Sequence, residues 1–113
     1  MGDELTVTRN DEARRYEIHV NGTLGGFTEL QSDARGRTVL PHTEVDPAFK
    51  GRGLGSVLVG DALADLARRG DVVVPRCPFV TRYLKENEVA GLVIDWPDEA
   101  DAQEAPTPGE SPA

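Results

Sequence analysis

The stretch FKGRGLGS, residues 49–56, carries the main signal for the fold and the site. Its three glycines alternate with larger residues and lead directly into a segment with helical periodicity. Backbone N–H groups without side chains beside them can approach one anion together, and a helix N-terminus adds about half a positive charge. Lys50 and Arg52 add two full charges. The stretch therefore predicts a loop that binds a phosphate or pyrophosphate group.

Other readings of the same stretch can be compared with known motifs. A Walker A motif requires Gly-x-x-x-x-Gly-Lys-Ser/Thr, which the sequence lacks. A dinucleotide-binding fingerprint requires a third glycine where Ser56 stands, and a preceding parallel strand. A glycine-rich loop can also serve simply as a tight turn from a strand into a helix. Residues 49–56 alone leave the binding loop and the tight turn as open alternatives.

On the C-terminal side of this loop, the sequence predicts two helices with a short strand between them. Apolar residues recur at helical spacing over 54–67, and Gly70 follows as a C-terminal cap. The run Val72–Val74 is typical of a strand buried on both faces. A proline starts the second predicted helix, over 78–87, and residues 92–94 indicate a final strand.

On the N-terminal side, alternating apolar and polar residues predict four strands in an antiparallel meander. They cover about residues 5–8, 15–20, 23–30 and 37–45. The pair Asn21-Gly22 predicts a type I′ hairpin turn between the second and third strands, because both residues tolerate positive φ. The pair Gly25-Gly26 predicts a bulge or a close backbone approach in the third strand.

Acidic residues are concentrated near the C-terminus. The net charge is −8, and from Asp95 onward there are six acidic residues and no basic one. Residues 1–94 carry fourteen acidic and twelve basic residues, so they are nearly balanced. From Trp96 the composition turns to Pro, Ala, Glu, Asp and Gly, which is typical of disorder. We therefore predict one domain over 1–97 and a disordered acidic tail over 98–113.

Composition also argues against several classes of protein. The sequence has no basic stripe with interleaved aromatic residues, so nucleic acid is not an expected partner. No apolar run approaches the roughly 20 residues that a bilayer requires, and no apolar region follows the acidic start as in a secretory signal. The single cysteine, Cys77, excludes an intrachain disulfide and a zinc site built from several cysteines. We therefore expect a cytoplasmic protein without a membrane partner or a metal.

The order of these motifs resembles the acetyl-CoA-binding core of the GNAT N-acetyltransferase superfamily. A strand, Asp-Pro, Lys-x-x-Gly-x-Gly, an amphipathic helix and a short apolar strand follow one another. In that superfamily a Gln/Arg-x-x-Gly-x-Gly/Ala loop holds the CoA pyrophosphate, and Lys50 stands at its first position here. The segments His42–Val45 and Val74–Val80 look like those of the small YjdJ-type subgroup, whose members are single modules of this length. The resemblance covers roughly residues 5–95.

The resemblance implies an α+β fold with a mostly antiparallel sheet that two helices pack against. The sheet is expected to splay between the fourth strand, ending at Val45, and the fifth, Val72–Val74. Acetyl-CoA is the implied cosubstrate, with its pantetheine bonded to the backbone of Glu44 and Val45 in that opening. The implied cofactor-binding residues are Val45, Lys50, Gly51, Arg52, Gly53, Leu54, Gly55, Ser56 and Tyr83.

Larger GNAT enzymes insert two helices between their early strands, and these helices help to form the acceptor pocket. The sequence has no counterpart of them, so the acceptor amine stays open between small molecules and peptides. A monomer or weak dimer is expected. The alternative to an N-acetyltransferase is a non-catalytic CoA-binding or protein-interaction module that keeps the cofactor loop.

His42, Glu44 and Cys77 are the candidate catalytic residues. The first two point to the same face of a strand, where either can accept a proton from an ammonium group; the alternative is a solvated polar face. His-x-Glu also opens the zinc deaminase signature, which needs a Pro-Cys-x-x-Cys that the sequence lacks. Cys77 follows Arg76 at a predicted helix start, where thiols become activated nucleophiles, or else it is a small buried apolar residue.

The reaction has two possible routes in this scheme. In one, the amine attacks acetyl-CoA directly, as the resemblance generally implies, with His42 or Glu44 as the base. In the other, Cys77 first takes the acetyl group and then passes it on. Tyr83 is either a core residue of the second helix or, by similarity to GNAT enzymes, a general acid near the CoA sulfur.

Overall fold

The computed structural model describes residues 4–97. In this range the chain combines strands with two α-helices, which confirms the α+β class. The strands are β1 (Leu5–Asn10), β2 (Arg15–Val20), β3 (Thr23–Glu29), β4 (Gln31–Ser32), β5 (Thr38–Leu40), β6 (Thr43–Val45), β7 (Val72–Pro75) and β8 (Val93–Ile94). The helices are α1 (Leu54–Arg69) and α2 (Pro78–Glu86), and a 3₁₀ turn covers Pro47–Phe49. Neither of the two helices in this range has the length and apolar composition of a membrane span. The predicted tail, 98–113, lies outside the described residues.

Four antiparallel strands form the first sheet, in the order β1-β2-β3-β6. The predicted hairpin turn between β2 and β3 is confirmed, with φ of +51° at Asn21 and +86° at Gly22. The predicted bulge is confirmed as well, because the register shifts after Ile18 and passes over Gly25. The first three strands thus follow one another through short turns.

The second sheet has the order β4-β5-β7-β8 and mixed strand directions. β4 is antiparallel to β5, whereas β5 is parallel to β7 and β7 is parallel to β8. The fourth strand predicted over 37–45 is therefore divided into β5 and β6, which belong to different sheets. Pro41 separates them, since proline has no N–H to donate to a ladder.

The two sheets separate where β5 ends, which confirms the predicted splay. Leu40, the last residue of β5, pairs with Pro75. Its carbonyl accepts hydrogen bonds from the N–H groups of Arg76 and Cys77 at 3.2 and 2.9 Å. Beyond this point β6 pairs only with β3 among the described strands, while α2 follows β7. One edge of β6 therefore borders the opening.

Helix α1 packs its apolar side against both sheets and ends as predicted. Gly70 adopts φ of +76°, and its N–H donates back to the Ala67 carbonyl at 3.1 Å. The centre of the core takes residues from both sheets and both helices. Fully buried side chains include Ile18, Leu58, Leu63, Leu66, Val73 and Val80.

A buried tyrosine connects α1 to the first sheet. The Tyr16 hydroxyl on β2 donates a 2.5 Å hydrogen bond to the Asp65 carboxylate on α1, to which Arg68 and Arg69 also donate. Burial, more than any other factor, raises the pKa of Tyr16 to about 12. The hydrogen bond from Tyr16 is the main cause that lowers the pKa of Asp65 to about 2. This contact fixes the C-terminal half of α1.

Candidate functional site

The loop at residues 50–53 joins the 3₁₀ turn to α1 and uses left-handed backbone. The φ angle is +79° at Gly51 and +76° at Gly53, a region that L side chains rarely adopt. Asp46 fixes the approach to the loop. Its carboxylate accepts a hydrogen bond from the Ala48 N–H at 2.9 Å, and its own N–H donates to a β3 carbonyl at 2.8 Å. The loop therefore follows a defined path into the helix.

The N-terminus of α1 has no cap from a side chain. Gly53 occupies the N-cap position and makes no side-chain hydrogen bond. The N–H groups of residues 54–56 therefore have no acceptor within the helix, and with the helix dipole they favour an anion at this end. Lys50 is exposed beside them, and the Arg52 guanidinium lies 5.4 Å from the centre of the Phe49 ring. Backbone and side chains thus give this end of the helix a positive character.

Gly55 serves a different purpose from the other two glycines. It is buried in the first turn of α1, and a Cβ built on it would lie 2.6 Å from Cζ of Phe79. Glycine therefore lets the Phe79 ring of α2 pack directly on the backbone of α1. The sequence motif did not distinguish this packing requirement from anion binding.

A cavity of about 650 Å³ lies between the loop, the start of α1, β6 and α2. It joins the predicted anion site to the opening between the sheets. Its lining includes most of the predicted cofactor-binding residues, although neither Arg52 nor Tyr83 is among its described lining residues. The lining residues are Thr43, Glu44, Val45, Pro47, Phe49, Lys50, Gly51, Gly53, Leu54, Gly55, Ser56 and Phe79.

Strand β6 directs alternate backbone groups into this cavity. The His42 carbonyl and the Asp46 N–H both bond to the backbone of β3 at 2.8 Å. Antiparallel alternation places the N–H and C=O of Glu44 on that same side. The backbone groups of Thr43 and Val45 consequently point toward the opening. The family resemblance implies backbone contacts from Glu44 and Val45, whereas the strand register directs the backbone groups of Thr43 and Val45 toward the cavity.

His42, which directly precedes β6, and Glu44 on β6 have their side chains on the same side, as predicted. Nε2 of His42 is 2.9 Å from Oε2 of Glu44, and the two side chains are 48% and 60% exposed. The His42 ring also meets Phe27 edge to face, with 6.3 Å between ring centres. Both side chains are open to solvent, and Glu44 lines the cavity. Within residues 4–97, no three His, Cys, Asp or Glu side chains are grouped so that they could hold a metal ion.

Cys77 lies at the closed end of the opening, behind Thr43. Its Sγ donates to Thr43 Oγ1 at 3.4 Å, and the residue is 5% exposed. Among the described residues, Thr43 lines the cavity and Cys77 does not. Because side chains alternate along a strand, Thr43 points to the face of β6 opposite His42 and Glu44. The structure therefore brings Cys77 to β6 but not into contact with the other two candidate catalytic residues.

Tyr83 lies on α2 and rests against α1. A Cβ on Gly60 would lie 2.5 Å from the Tyr83 hydroxyl oxygen, so this hydroxyl touches the α1 backbone. The Tyr83 ring packs on the edge of the core. This position fits the core alternative, and a role near the CoA sulfur stays a prediction.

Sequence reasoning did not single out Thr43 or Phe79, although both line the cavity. Thr43 stood between two candidate catalytic residues on the opposite strand face, so nothing in the local pattern marked it. Phe79 fits the apolar side of a helix, and only its contact with Gly55 reveals its position on the cavity wall.

Comparison with known proteins agrees with this geometry. Residues 15–91 match the profile of a family described as GCN5-related N-acetyl-transferase. The match covers more than half of the chain and spans β2 to the turn after α2. The chain belongs to the GCN5-related N-acetyltransferase family. Members of this family generally use acetyl-CoA and act on amine acceptors.

Among similar proteins is Protein NATD1 of several vertebrates. The chain is 28% identical to Protein NATD1 of Mus musculus over 88 residues, which are 77% of this chain and 80% of that protein. It is 29% identical to Protein NATD1 of Xenopus tropicalis over 84 residues, 74% of this chain and 77% of that protein. It is 28% identical to Protein NATD1 of Homo sapiens over 88 residues, which are 77% of this chain and 78% of that protein.

Proposed function

We propose that this protein is a cytoplasmic acetyl-CoA-dependent N-acetyltransferase of the small YjdJ-type subgroup, acting as a monomer or weak dimer. The observation that carries the proposal is the uncapped N-terminus of α1, which opens into a cavity that continues to the free edge of β6. The short turns between β1, β2 and β3 support the assignment to a subgroup without inserted helices. The acceptor is a small-molecule or peptide amine.

The residues around the cavity match the successive chemical groups of CoA. The N–H groups of 54–56 and the cations Lys50 and Arg52 suit its pyrophosphate. The backbone groups of Thr43 and Val45 suit the amides of its pantetheine. A volume of about 650 Å³ falls within the ordinary range for small-molecule sites.

Proton removal from the acceptor is the step for which the chain offers clear candidates. An amine is mostly protonated at neutral pH and must lose a proton before it can attack a carbonyl carbon. His42 and Glu44 are paired, exposed and next to the cavity, so they suit this role. Acetyl-CoA supplies the acetyl group as a thioester. We favour direct transfer to the amine over the route through Cys77, since moving an acetyl group from one thiol to another gains little free energy.

The test is an assay of acetyl-CoA consumption against polyamines, amino acids, aminoglycosides and lysine peptides. We expect turnover that depends on an amine and that is lost in Gly53→Val, because valine is strained at φ of +76° and blocks the approach of phosphate. Gly36→Val is the matched control: Gly36 has φ of +77°, open space around it and a place in a turn that does not line the cavity.

Three outcomes distinguish the alternatives. Amine-dependent turnover in the wild type and in Gly36→Val, with loss in a folded Gly53→Val, supports the enzyme. CoA binding without turnover for any amine supports the non-catalytic module. Equal CoA binding by a folded Gly53→Val and the wild type contradicts both. Cys77→Ala then separates the two routes, since abolished turnover indicates the covalent route and a modest loss indicates direct transfer.

A further inference from the structure

The outer face of the first sheet meets the cavity at Glu44. Its side chain lies on the face of β6 opposite Thr43 and Val45, and Glu44 also lines the cavity. Phe27 on β3 is paired directly with Glu44, so the two side chains stand next to each other on this outer face. The Phe27 ring is half-buried and presents part of its surface to solvent. A molecule that reaches Glu44 from this side therefore meets an aromatic ring beside a carboxylate.

The two sides of the Phe27 ring have different neighbours. On the β2 side, the Arg15 guanidinium lies 4.5 Å from the ring centre, and its Nε is 2.8 Å from Oε2 of Glu17. Glu17 is only 8% exposed, so this ion pair is held in place and covers that side of the ring. On the β6 side lie Glu44 and the edge of the His42 ring. The ring surface that a ligand can contact is therefore the one next to Glu44.

We infer that the acceptor enters over this outer face, and that Phe27 is a specificity-determining residue that selects a primary amine on a straight aliphatic stem. This inference rests on the proposed function. The ammonium group of the acceptor pairs with Glu44 before it loses its proton, and the methylene groups of the stem pack on the Phe27 ring. A lysine side chain and a polyamine share this chemistry.

The same arrangement disfavours two other classes of amine. An amino acid carries a carboxylate on the same carbon as its α-amine, and Glu44 repels that carboxylate. An aminoglycoside carries its amines on hydroxylated rings, so it offers no apolar stem to Phe27. We therefore expect faster acetylation of lysine peptides and polyamines than of amino acids and aminoglycosides.

Steady-state kinetics with straight-chain amines test the inference in the wild type. At a fixed acetyl-CoA concentration, kcat/KM for the amine should rise about twofold with each methylene from ethylamine to pentylamine, as expected when each group is half-buried on the ring. The acetyl-CoA KM should stay constant along the series. An N-acetylated lysine peptide and spermidine, compared with glycine, then show which source of the stem is used best.

Variants at position 27 test the role of the ring. Phe27→Ala should remove the dependence on stem length, so kcat/KM should fall about eightfold for pentylamine and less than about twofold for ethylamine. Phe27→Tyr should keep the dependence because it keeps the ring. Leu24→Ala is the matched control, because Leu24 is an apolar residue of the same strand that is 39% exposed and pairs with His19 rather than with Glu44.

Amide NMR gives a second readout that does not depend on turnover. Pentylamine is titrated into the ¹⁵N-labelled full chain in the presence of saturating CoA. The largest shifts should be at the amides of Phe27 and Glu44, and ethylamine should give weaker binding at the same positions. Shifts confined to other surfaces would overturn the inference.

The kinetic outcomes separate this inference from the proposed function. Amine acetylation that does not rise with stem length would overturn the inference and leave the proposed function standing. So would an equal loss for ethylamine and pentylamine in a folded Phe27→Ala. Absence of turnover by the wild type with every amine would defeat the proposed function and the inference with it. A rise that Phe27→Ala abolishes and Leu24→Ala retains supports the inference.

Discussion

Replacing Gly55 with alanine should move the Phe79 ring into the cavity and weaken CoA binding. A Cβ at this position would lie 2.6 Å from Cζ, 3.1 Å from Cε2 and 3.3 Å from Cε1 of the ring. Carbon atoms in ordinary contact are roughly 3.5–4.0 Å apart, so the ring must withdraw by about 1 Å. Phe79 is only half-buried and lines the cavity, which leaves the cavity as its direction of escape.

The effect on stability should be smaller than in a closed core. Overpacking costs about 1–3 kcal/mol where neighbours cannot move, and the open side of Phe79 favours the low end of that range. Alanine gains up to about 1 kcal/mol over glycine in helix propensity, less in the first turn. We therefore expect the free energy of unfolding to fall by about 0.5 kcal/mol. The larger effect should be on binding, because CoA must push the displaced Phe79 ring back out of the cavity. A cost of about 1 kcal/mol for this step corresponds to roughly fivefold weaker CoA affinity.

Urea unfolding and calorimetric titration with CoA measure the two quantities on the same protein. Gly36→Ala is the control, because the added Cβ meets open space in a turn that does not line the described cavity. CoA affinity should be unchanged in that variant. The Phe79→Ala background should abolish the stability cost of Gly55→Ala. Unchanged CoA affinity in Gly55→Ala would refute the reasoning. So would an equal loss of stability from Gly55→Ala in the wild-type and the Phe79→Ala backgrounds.

Three further predictions concern other parts of the molecule. Asp65→Asn should lower the free energy of unfolding by about 1–2 kcal/mol at neutral pH, since the folded-state pKa of about 2 lies below the ordinary 3.8 and partial exposure screens the contact. The difference from wild type should be complete above about pH 5 and disappear as the pH falls through 4 to 2; a constant difference in pH-dependent urea unfolding would contradict this. Truncation after Pro97 should leave the melting temperature unchanged, because residues 98–113 offer little apolar surface to bury, and a large loss would show that they dock. Saturating CoA should slow the alkylation of Cys77 by iodoacetamide, and an unchanged rate would place the thiol outside the site.

Local signals predicted the elements that local chemistry determines. Asn21-Gly22 predicts its turn because few other pairs adopt two positive φ angles in succession. Gly70 predicts the end of α1 because glycine readily adopts the positive φ of a helix C-terminal cap. The sequence also predicts the glycine loop, because its glycines lie close together in one short stretch before a helix. The same applies to the pairing of His42 and Glu44, which follows from their spacing on one strand.

Contacts between distant segments were beyond sequence reasoning. Tyr16 and Asp65 are 49 positions apart, and nothing near either residue indicates the other. Thr43 and Cys77 meet only because β5 and β6 diverge at Pro41, a break that an alternating pattern over 37–45 conceals. Such contacts depend on how the two sheets separate, which no local sequence pattern indicates.

The central claim, that CoA binds at the N-terminus of α1 and along β6, is tested most directly by amide NMR. CoA is titrated into the ¹⁵N-labelled full chain, and shifts are followed residue by residue. The account predicts the largest shifts at the amides of 51–56 and of Thr43 and Val45, with small ones in the β1–β2 hairpin. Saturable shifts confined to other surfaces, or no shifts at millimolar CoA, would contradict it.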